Sequence, residues 1–215
     1  MEQNFSDFHK KWMSELEKLV ESDRGESTPK SRLDKLTAHH KAYYTKKWAA
    51  AEEDIEAFYA AVWLNPFEKA RTWVTGWKPS SALQLADSLK LSNEQRHKMA
   101  RVRFEIKTEE EKVESEMRSL HILATADPKM LELVRMGMEA DRSGSPAAMD
   151  KVDKMVDVAL QMLRGRLLKL MKMADCARLK ALKGVLDVVG PMNGLTYFTS
   201  VSIFLIGLRN LGEPR

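Results

Sequence analysis

The last third of the chain carries one long apolar register. Its members recur mostly at steps of three or four residues: Met149, Val152, Val156, Leu160, Leu163, Leu167, Leu170, Ala174, Leu179, Leu182, Leu186 and Val189. This spacing places them along one side of an α-helix. Gly190 and Pro191 then end the helix. A helix of this length buries its stripe only against several other helices, so the register predicts the central helix of a bundle.

Shorter helices are predicted along the rest of the chain. They cover approximately residues 5–19, 31–59, 66–76, 79–89, 93–126, 128–140 and 192–211, and Pro66, Pro79, Pro128 and Pro146 each stand at a helix start. We find no alternating pattern typical of strands. The sequence therefore predicts an all-α fold, a single helical bundle of about seven to nine helices, several of them long. We expect residues 1–215 to form one domain, with mobile loops near residues 23–30 and 141–145.

Composition and charge exclude little beyond disorder. Thirty-five Lys and Arg residues against 31 Asp and Glu residues give a net charge of +4, a small excess that does not by itself indicate nucleic acid. The single Cys176 forbids an internal disulfide, and no basic-then-apolar leader follows Met1, so we expect a reducing compartment. Residues 192–208 are uncharged, but seven of them are Asn, Gly, Ser or Thr. We predict a core helix there and no transmembrane span.

The residues that carry enzyme chemistry do not form a recognised motif. The five histidines match no zinc or catalytic pattern, and adjacent His39 and His40 are predicted at the surface or its rim. Glu94 and His97 have the spacing of a di-iron ligand pair, but such sites need a second copy and two further glutamates. Cys176 has no clear activator and is predicted to be buried and inert. We predict no enzyme activity, no metal and no cofactor.

Two charged stretches lie on predicted helices. Glu109, Glu110, Glu111, Glu114 and Glu116 form an acidic run that we interpret as a solvated helix face. Seven basic residues alternate with leucines and methionines further on: Arg164, Arg166, Lys169, Lys172, Arg178, Lys180 and Lys183. They are typical of a calmodulin-target or membrane-surface helix, or of a core helix whose long side chains reach solvent, and we favour the core helix. Nine of the 13 methionines lie between Pro128 and Met192, where they fill gaps or line an adaptable pocket.

The most distinctive segment covers residues 63–81. It contains three tryptophans and two helix-starting prolines: Trp63, Trp73, Trp77, Pro66 and Pro79. Burial of one indole removes about 150–250 Å² from water, so most of this aromatic surface is expected in the core. Partner binding is then expected from the residues at the exposed edge of the segment, its rim. We predict that Glu68, Arg71, Trp77, Lys78 and Ser80 bind a partner.

This segment resembles the plant delay-of-germination (DOG) domain, which also occurs in the carboxyl-terminal halves of TGA-type bZIP transcription factors and in pollen-aperture factors. The family pattern Trp-x-x-Pro-x-Glu, Trp-x-x-Gly, basic-Pro-Ser is matched by Trp63, Pro66, Glu68, Trp73, Gly76, Lys78, Pro79 and Ser80, and the likeness extends to Phe8 and Trp12. By this resemblance Trp12, Trp63, Pro66, Trp73, Gly76 and Pro79 are structural.

The resemblance implies a non-enzymatic regulatory adaptor in the nucleus or cytoplasm. Its implied partners are phosphatases of the abscisic-acid pathway or transcription coactivators. Unlike the TGA factors, this sequence has no basic region and zipper ahead of Phe5, so direct sequence-specific DNA binding is not expected. Some family members are associated with haem or fatty-acyl ligands. Residues 196–211 contain no histidine for haem, whereas a fatty-acyl ligand, a pollen-aperture-type scaffold and a homodimer remain open alternatives.

Overall fold

The computed structural model describes residues 2–21 and 28–212. Within these ranges the chain forms nine α-helices and a 3₁₀ turn at Ala86–Ser88, with no strand, so the predicted all-α fold is confirmed. The helices are α1 Glu2–Glu21, α2 Pro29–Glu53, α3 Ile55–Ala60, α4 Pro66–Ala70, α5 Pro79–Leu85, α6 Asn93–Ala126, α7 Pro128–Ser143, α8 Pro146–Val188 and α9 Pro191–Gly212.

The helix starts follow the capping chemistry of the sequence. The side chains of Asn65 and Ser92 each accept a hydrogen bond from the backbone N–H three residues on, and the side chains of Glu68 and Gln95 accept one from the backbone N–H of the cap residue. Asp127 and Ser145 cap α7 and α8, each followed by a proline at the first helical position. Such a cap contributes about 1 kcal/mol, which is enough to fix where each helix begins.

Three predicted boundaries are wrong. The helix expected over residues 31–59 is broken at Asp54, which ends α2 and caps α3 by accepting a hydrogen bond from the Ala57 backbone. The helix expected to end at Gly76 ends at Ala70. The loop expected at residues 141–145 is reduced to a turn, because α7 continues to Ser143 and Gly144 follows in the left-handed conformation that ends helices.

The other predicted loop, near residues 23–30, lies largely outside the described residues. Its last three residues form the start of α2, where Thr28 accepts a hydrogen bond from the Ser31 backbone.

The core is arranged around α8. Helix α8 packs along α6 and also contacts α2, α3, α5, α7 and α9. Three apolar clusters surround it, and α8 contributes to each: Leu182 and Val185 to the first, Met171 to the second, and Leu170 and Ala174 to the third. The predicted central helix therefore holds the clusters together. A single domain over residues 1–215 stays a prediction. The contribution of one helix to all three clusters supports it.

Helix α9 is the apolar segment expected to be a core helix. In the described part of the chain it alone is long and apolar enough to cross a membrane, and its most apolar 18 residues have a mean hydropathy of 1.2. One such helix is weak evidence for a span. It packs against α1, α2, α4, α5 and α8, and Tyr197, Phe198 and Val201 are buried in these contacts. These contacts favour the core-helix interpretation for the packed side of α9, since 33% of its most apolar stretch is buried.

Candidate functional site

Residues 71–78, here called the tryptophan loop, connect α4 to α5. The backbone of Val74 and Thr75 lies in the left-handed region, with φ of 42° and 57°. Branching at Cβ makes this region costly for both residues, by about 1–3 kcal/mol each, so the conformation persists only where the surroundings impose it. The Trp73 backbone N–H donates to the Gly76 carbonyl at 2.6 Å and closes the turn.

Arg178 of α8 imposes this conformation. Its guanidinium is fully buried and donates to three loop carbonyls, those of Trp73, Val74 (2.7 Å) and Trp77 (2.7 Å). The guanidinium also lies 5.5 Å from the centre of the Trp73 ring. A Cβ at Gly76 would come within 2.9 Å of the guanidinium carbon, so glycine is required there for the close approach of the arginine.

Asp175 balances the buried positive charge. Its carboxylate accepts hydrogen bonds from Arg178 (2.6 Å), from the ammonium of Lys47 (2.9 Å) and from the indole of Trp48 (2.9 Å). Lys47 also donates to the carbonyl and the hydroxyl of Thr75, at 3.0 and 3.1 Å. Burial lowers the pKa of Lys47 to about 8, although Asp175 opposes this shift. Lys47, Asp175 and Arg178 thus form a buried charge network, and its two cations donate hydrogen bonds to the loop from the protein interior.

Two predicted partner-binding residues, Lys78 and Ser80, anchor the loop to α6. The Lys78 ammonium lies 2.9 Å from Glu114 and 3.8 Å from Glu110, and the hydrogen bond to Glu114 raises the pKa of Lys78. The Ser80 backbone N–H donates to Glu110 at 2.6 Å. Both residues are therefore partly engaged within the chain.

The other three predicted partner-binding residues line one cavity beside the loop. Arg71 is exposed and Trp77 is half-buried. Glu68 is buried, so the expectation that it lies on an exposed rim is wrong. The physical reason is its capping role, since its carboxylate folds back to accept the Asn65 backbone N–H at 2.8 Å and also lies 3.7 Å from Arg209.

The residues assigned a structural role support the same region. Trp12 stacks on His39 with ring centres 5.1 Å apart and donates to the His39 carbonyl at 3.0 Å. Trp63 packs edge-on against Phe5 and Phe58, with ring centres 4.7 and 4.8 Å away. Pro66 and Pro79 take the first positions of α4 and α5, on either side of the tryptophan loop.

Comparison with known proteins identifies the family. The profile of the DOG1 family, described as seed dormancy control, matches residues 12–88, from Trp12 through the tryptophan loop to the end of α5 and its 3₁₀ turn. Protein DOG1-like 4 of Arabidopsis thaliana is 37% identical over 228 residues, covering 100% of this chain and 94% of that protein. The chain belongs to the DOG1 family.

Other relatives place this DOG1-family chain among plant regulators. Protein RESPONSE TO ABA AND SALT 1 of Arabidopsis thaliana is 23% identical over 191 residues, 86% of this chain and 80% of that protein. Transcription factor TGA2.3 of Oryza sativa subsp. japonica is 27% identical over 77 residues, 36% of this chain and 23% of that protein. These similarities indicate a regulatory role in plants.

The two charged stretches of this DOG1-family chain face each other. Glu110 is buried and other acids of the run pair with α8: Glu109 with Lys180 at 3.0 Å and Glu116 with Arg166 at 3.1 Å. The interpretation of the acidic run as a solvated face is therefore wrong, except at Glu111, which is exposed. Further pairs join Lys172 to Glu52, Lys183 to Asp187 and Arg164 to Glu56. The basic side chains of α8 are thus paired with acids of the same chain, which favours the core-helix interpretation over a calmodulin-target helix.

Three more expectations concern histidine, cysteine and metal. His40 is buried, as is His9, so the predicted surface position of His40 is wrong; its imidazole pairs with the Ser202 hydroxyl at 3.2 Å. Cys176 is exposed, which contradicts the predicted buried thiol. Among residues 2–21 and 28–212 no three or more His, Cys, Asp or Glu side chains are grouped as metal ligands.

Proposed function

We propose that this chain is a non-enzymatic adaptor that docks a second regulatory protein on its tryptophan loop. The observation that carries the proposal is the strained backbone at Val74 and Thr75, which Arg178 and Lys47 fix through hydrogen bonds. Strained segments cluster at functional sites, because the surrounding fold must oppose the strain. A loop already fixed in one conformation loses little entropy when a partner binds, which favours affinity.

The docking rim consists of Arg71, Thr72 and Trp77. Arg71 and Thr72 are exposed, and Trp77 presents part of its indole while the rest packs on the first apolar cluster. Arginine and tryptophan are among the residues that contribute most to protein interfaces. Lys78 and Ser80 position the rim through Glu110 and Glu114 rather than forming its centre.

The similarity to regulators suggests which partners to test. The name of one relative refers to abscisic acid and salt, and another relative is a TGA-type transcription factor. We therefore propose a phosphatase of the abscisic-acid pathway or a transcription coactivator as the partner, in the nucleus or cytoplasm. We do not propose direct sequence-specific DNA binding. Arg166 and Lys180 of α8 already pair with acids of α6, which leaves fewer free cations for phosphate groups.

Charge reversal at the rim tests the adaptor. In pull-down and titration assays with these two partner classes, Arg71→Glu is expected to weaken binding at least tenfold, because it removes a cationic hot-spot candidate without touching a buried contact. Thermal unfolding should be unchanged, since Arg71 is exposed. Lys151→Glu, an exposed change on α8, is the matched control. A partner that binds Arg71→Glu as tightly as the unmodified chain would remove the loop as the docking site.

A fatty-acyl ligand is the second candidate function. An apolar groove of about 350 Å³ lies between α6, α7 and α8 and is lined by Met130, Met155 and Met162. Its flexible thioether side chains can adapt to an alkyl chain. In native mass spectrometry with added palmitate we expect a one-to-one adduct, which Met155→Glu should abolish by placing a charge on the groove wall. An unmodified chain without the adduct would exclude this candidate.

A further inference from the structure

A small cavity opens beside the tryptophan loop, bounded by α1, α2, α4 and α9. It holds about 90 Å³, and the side chains that matter for its chemistry are Trp12, Tyr43, Trp63, Trp77, His9 and Arg71. An engineered apolar cavity of about 150 Å³ accepts one benzene molecule. This cavity is smaller, so it encloses at most part of one small planar ring, whose remaining atoms and substituent lie in its open mouth, and it is too small for a macrocycle or an acyl chain.

One polar atom of the cavity wall has no partner. His9 is 4% exposed, and its Nδ1 makes no hydrogen bond with the described residues. An unsatisfied buried nitrogen of this kind costs about 1–3 kcal/mol. His40, which also lines the cavity, differs because Ser202 satisfies its Nε2. A ligand that pairs with His9 would relieve this cost.

The charges around the cavity favour an anion. Behind the wall formed by Thr75, Gly76 and Trp77, the buried network of Lys47, Arg178 and Asp175 holds two cations and one anion. Glu68, in the wall, is offset by Arg209, and Arg71 adds a further positive charge at the edge. Burial, with a smaller contribution from the positive charge of Arg209, lowers the pKa of His9 to about 4, so its imidazole is neutral at pH 7.

We propose that this cavity binds a small planar organic acid, with its single ring between the indoles and its carboxylate facing Arg71 and Nδ1 of His9. Neutral His9 in the Nδ1–H tautomer donates to the carboxylate, and Arg71 supplies a charge-assisted hydrogen bond. Aromatic walls also bind ammonium groups through cation–π attraction, but the net positive charge here opposes a cation. The proposed ligand differs from the protein partner of the docking rim, but the two sites share Arg71 and Trp77.

Three probes with the same ring and different charge test the site. Benzoate, benzamide and benzylammonium are titrated into the full chain by calorimetry, and the indole N–H resonances of the five tryptophans are followed by NMR. We expect benzoate to bind at least tenfold more tightly than the other two. The indole resonances of Trp12, Trp63 and Trp77 should shift, while that of Trp48, held by Asp175, should not.

Two variants separate the ligand site from simple unfolding. Arg71→Gln should weaken benzoate binding at least tenfold, and Lys69→Gln, an exposed change on α4, should not alter it. His9→Phe removes the Nδ1–H donor while it keeps an aromatic ring, and should abolish binding. Equal affinity for benzoate and benzamide, tighter binding of benzylammonium, or no benzoate binding would each overturn the proposal. Because these assays contain no protein partner, such a failure leaves the docking experiment unaffected.

Discussion

Asp175→Asn is expected to lower the free energy of unfolding by about 3–5 kcal/mol, the effect of breaking a buried ion pair by removing one partner. The substitution keeps the shape of the side chain but leaves Lys47 and Arg178 buried without an opposing charge. Loss of this much is a large share of the stability of a domain, which is about 5–15 kcal/mol. Urea unfolding followed by tryptophan fluorescence measures it.

The matched control is Asp187→Asn, on the same helix. Asp187 is exposed and pairs with Lys183 one turn away, so its removal is expected to change stability by less than about 1 kcal/mol. Similar small effects for both variants would show that Asp175 does not hold the buried cations. The tryptophan loop should respond as well, because Arg178 and Lys47 fix its carbonyls. In Asp175→Asn its backbone amides should exchange with solvent faster.

Most helices of this fold could be predicted from local chemistry. The apolar stripe from Met149 to Val189, which covers α8 and its C-cap, and the cap-proline pairs at Asp127 and Ser145 are signals that the sequence shows within a few residues. A cap acts on its own helix end, so no knowledge of the tertiary structure is needed. The break at Asp54 was missed because the apolar spacing continues across it, and a helix-capping aspartate resembles an exposed one.

The buried charge network was missed for a different reason. On α8 the buried face includes Met171, Asp175, Arg178, Leu182 and Val185, at steps of four and three. The spacing predicts the apolar members of this face, but Arg178 is interpreted there with the basic residues that reach solvent, because charges are rarely buried, and Asp175 is not singled out. The signal for both residues is a charged side chain at a position where the apolar spacing of the helix predicts burial.

The same signal exists on α2. Leu36, His40, Tyr44, Lys47 and Ala51 form its buried face, so His40 and Lys47 fall in register with apolar residues. Their partners, Ser202 and Asp175, lie more than 120 positions away in sequence. Such pairing depends on tertiary packing, and so does the strain at Val74 and Thr75, which no local propensity predicts.

Acidification from pH 7.5 to 5.5 is expected to lower the free energy of unfolding by about 1 kcal/mol for each of His9 and His40. Burial, aided by Arg209, lowers the pKa of His9 from 6.5 to about 4, and burial, aided by His39, lowers that of His40 to about 3. In the unfolded chain both imidazoles take up protons near pH 6.5, whereas in the folded chain they stay neutral. The unfolded state therefore binds more protons as the pH falls, and stability is lost.

Urea unfolding at several pH values measures this slope in the unmodified chain and in His9→Phe/His40→Phe. The double variant should lose most of the slope, whatever its absolute stability, because phenylalanine cannot bind a proton. His97→Gln, an exposed change on α6, is the control and should keep the slope. This window lies above the usual pKa of carboxyl groups and below that of Lys47, about 8, so neither dominates the signal. A double variant with the full slope would mean that neither imidazole is held neutral in the fold.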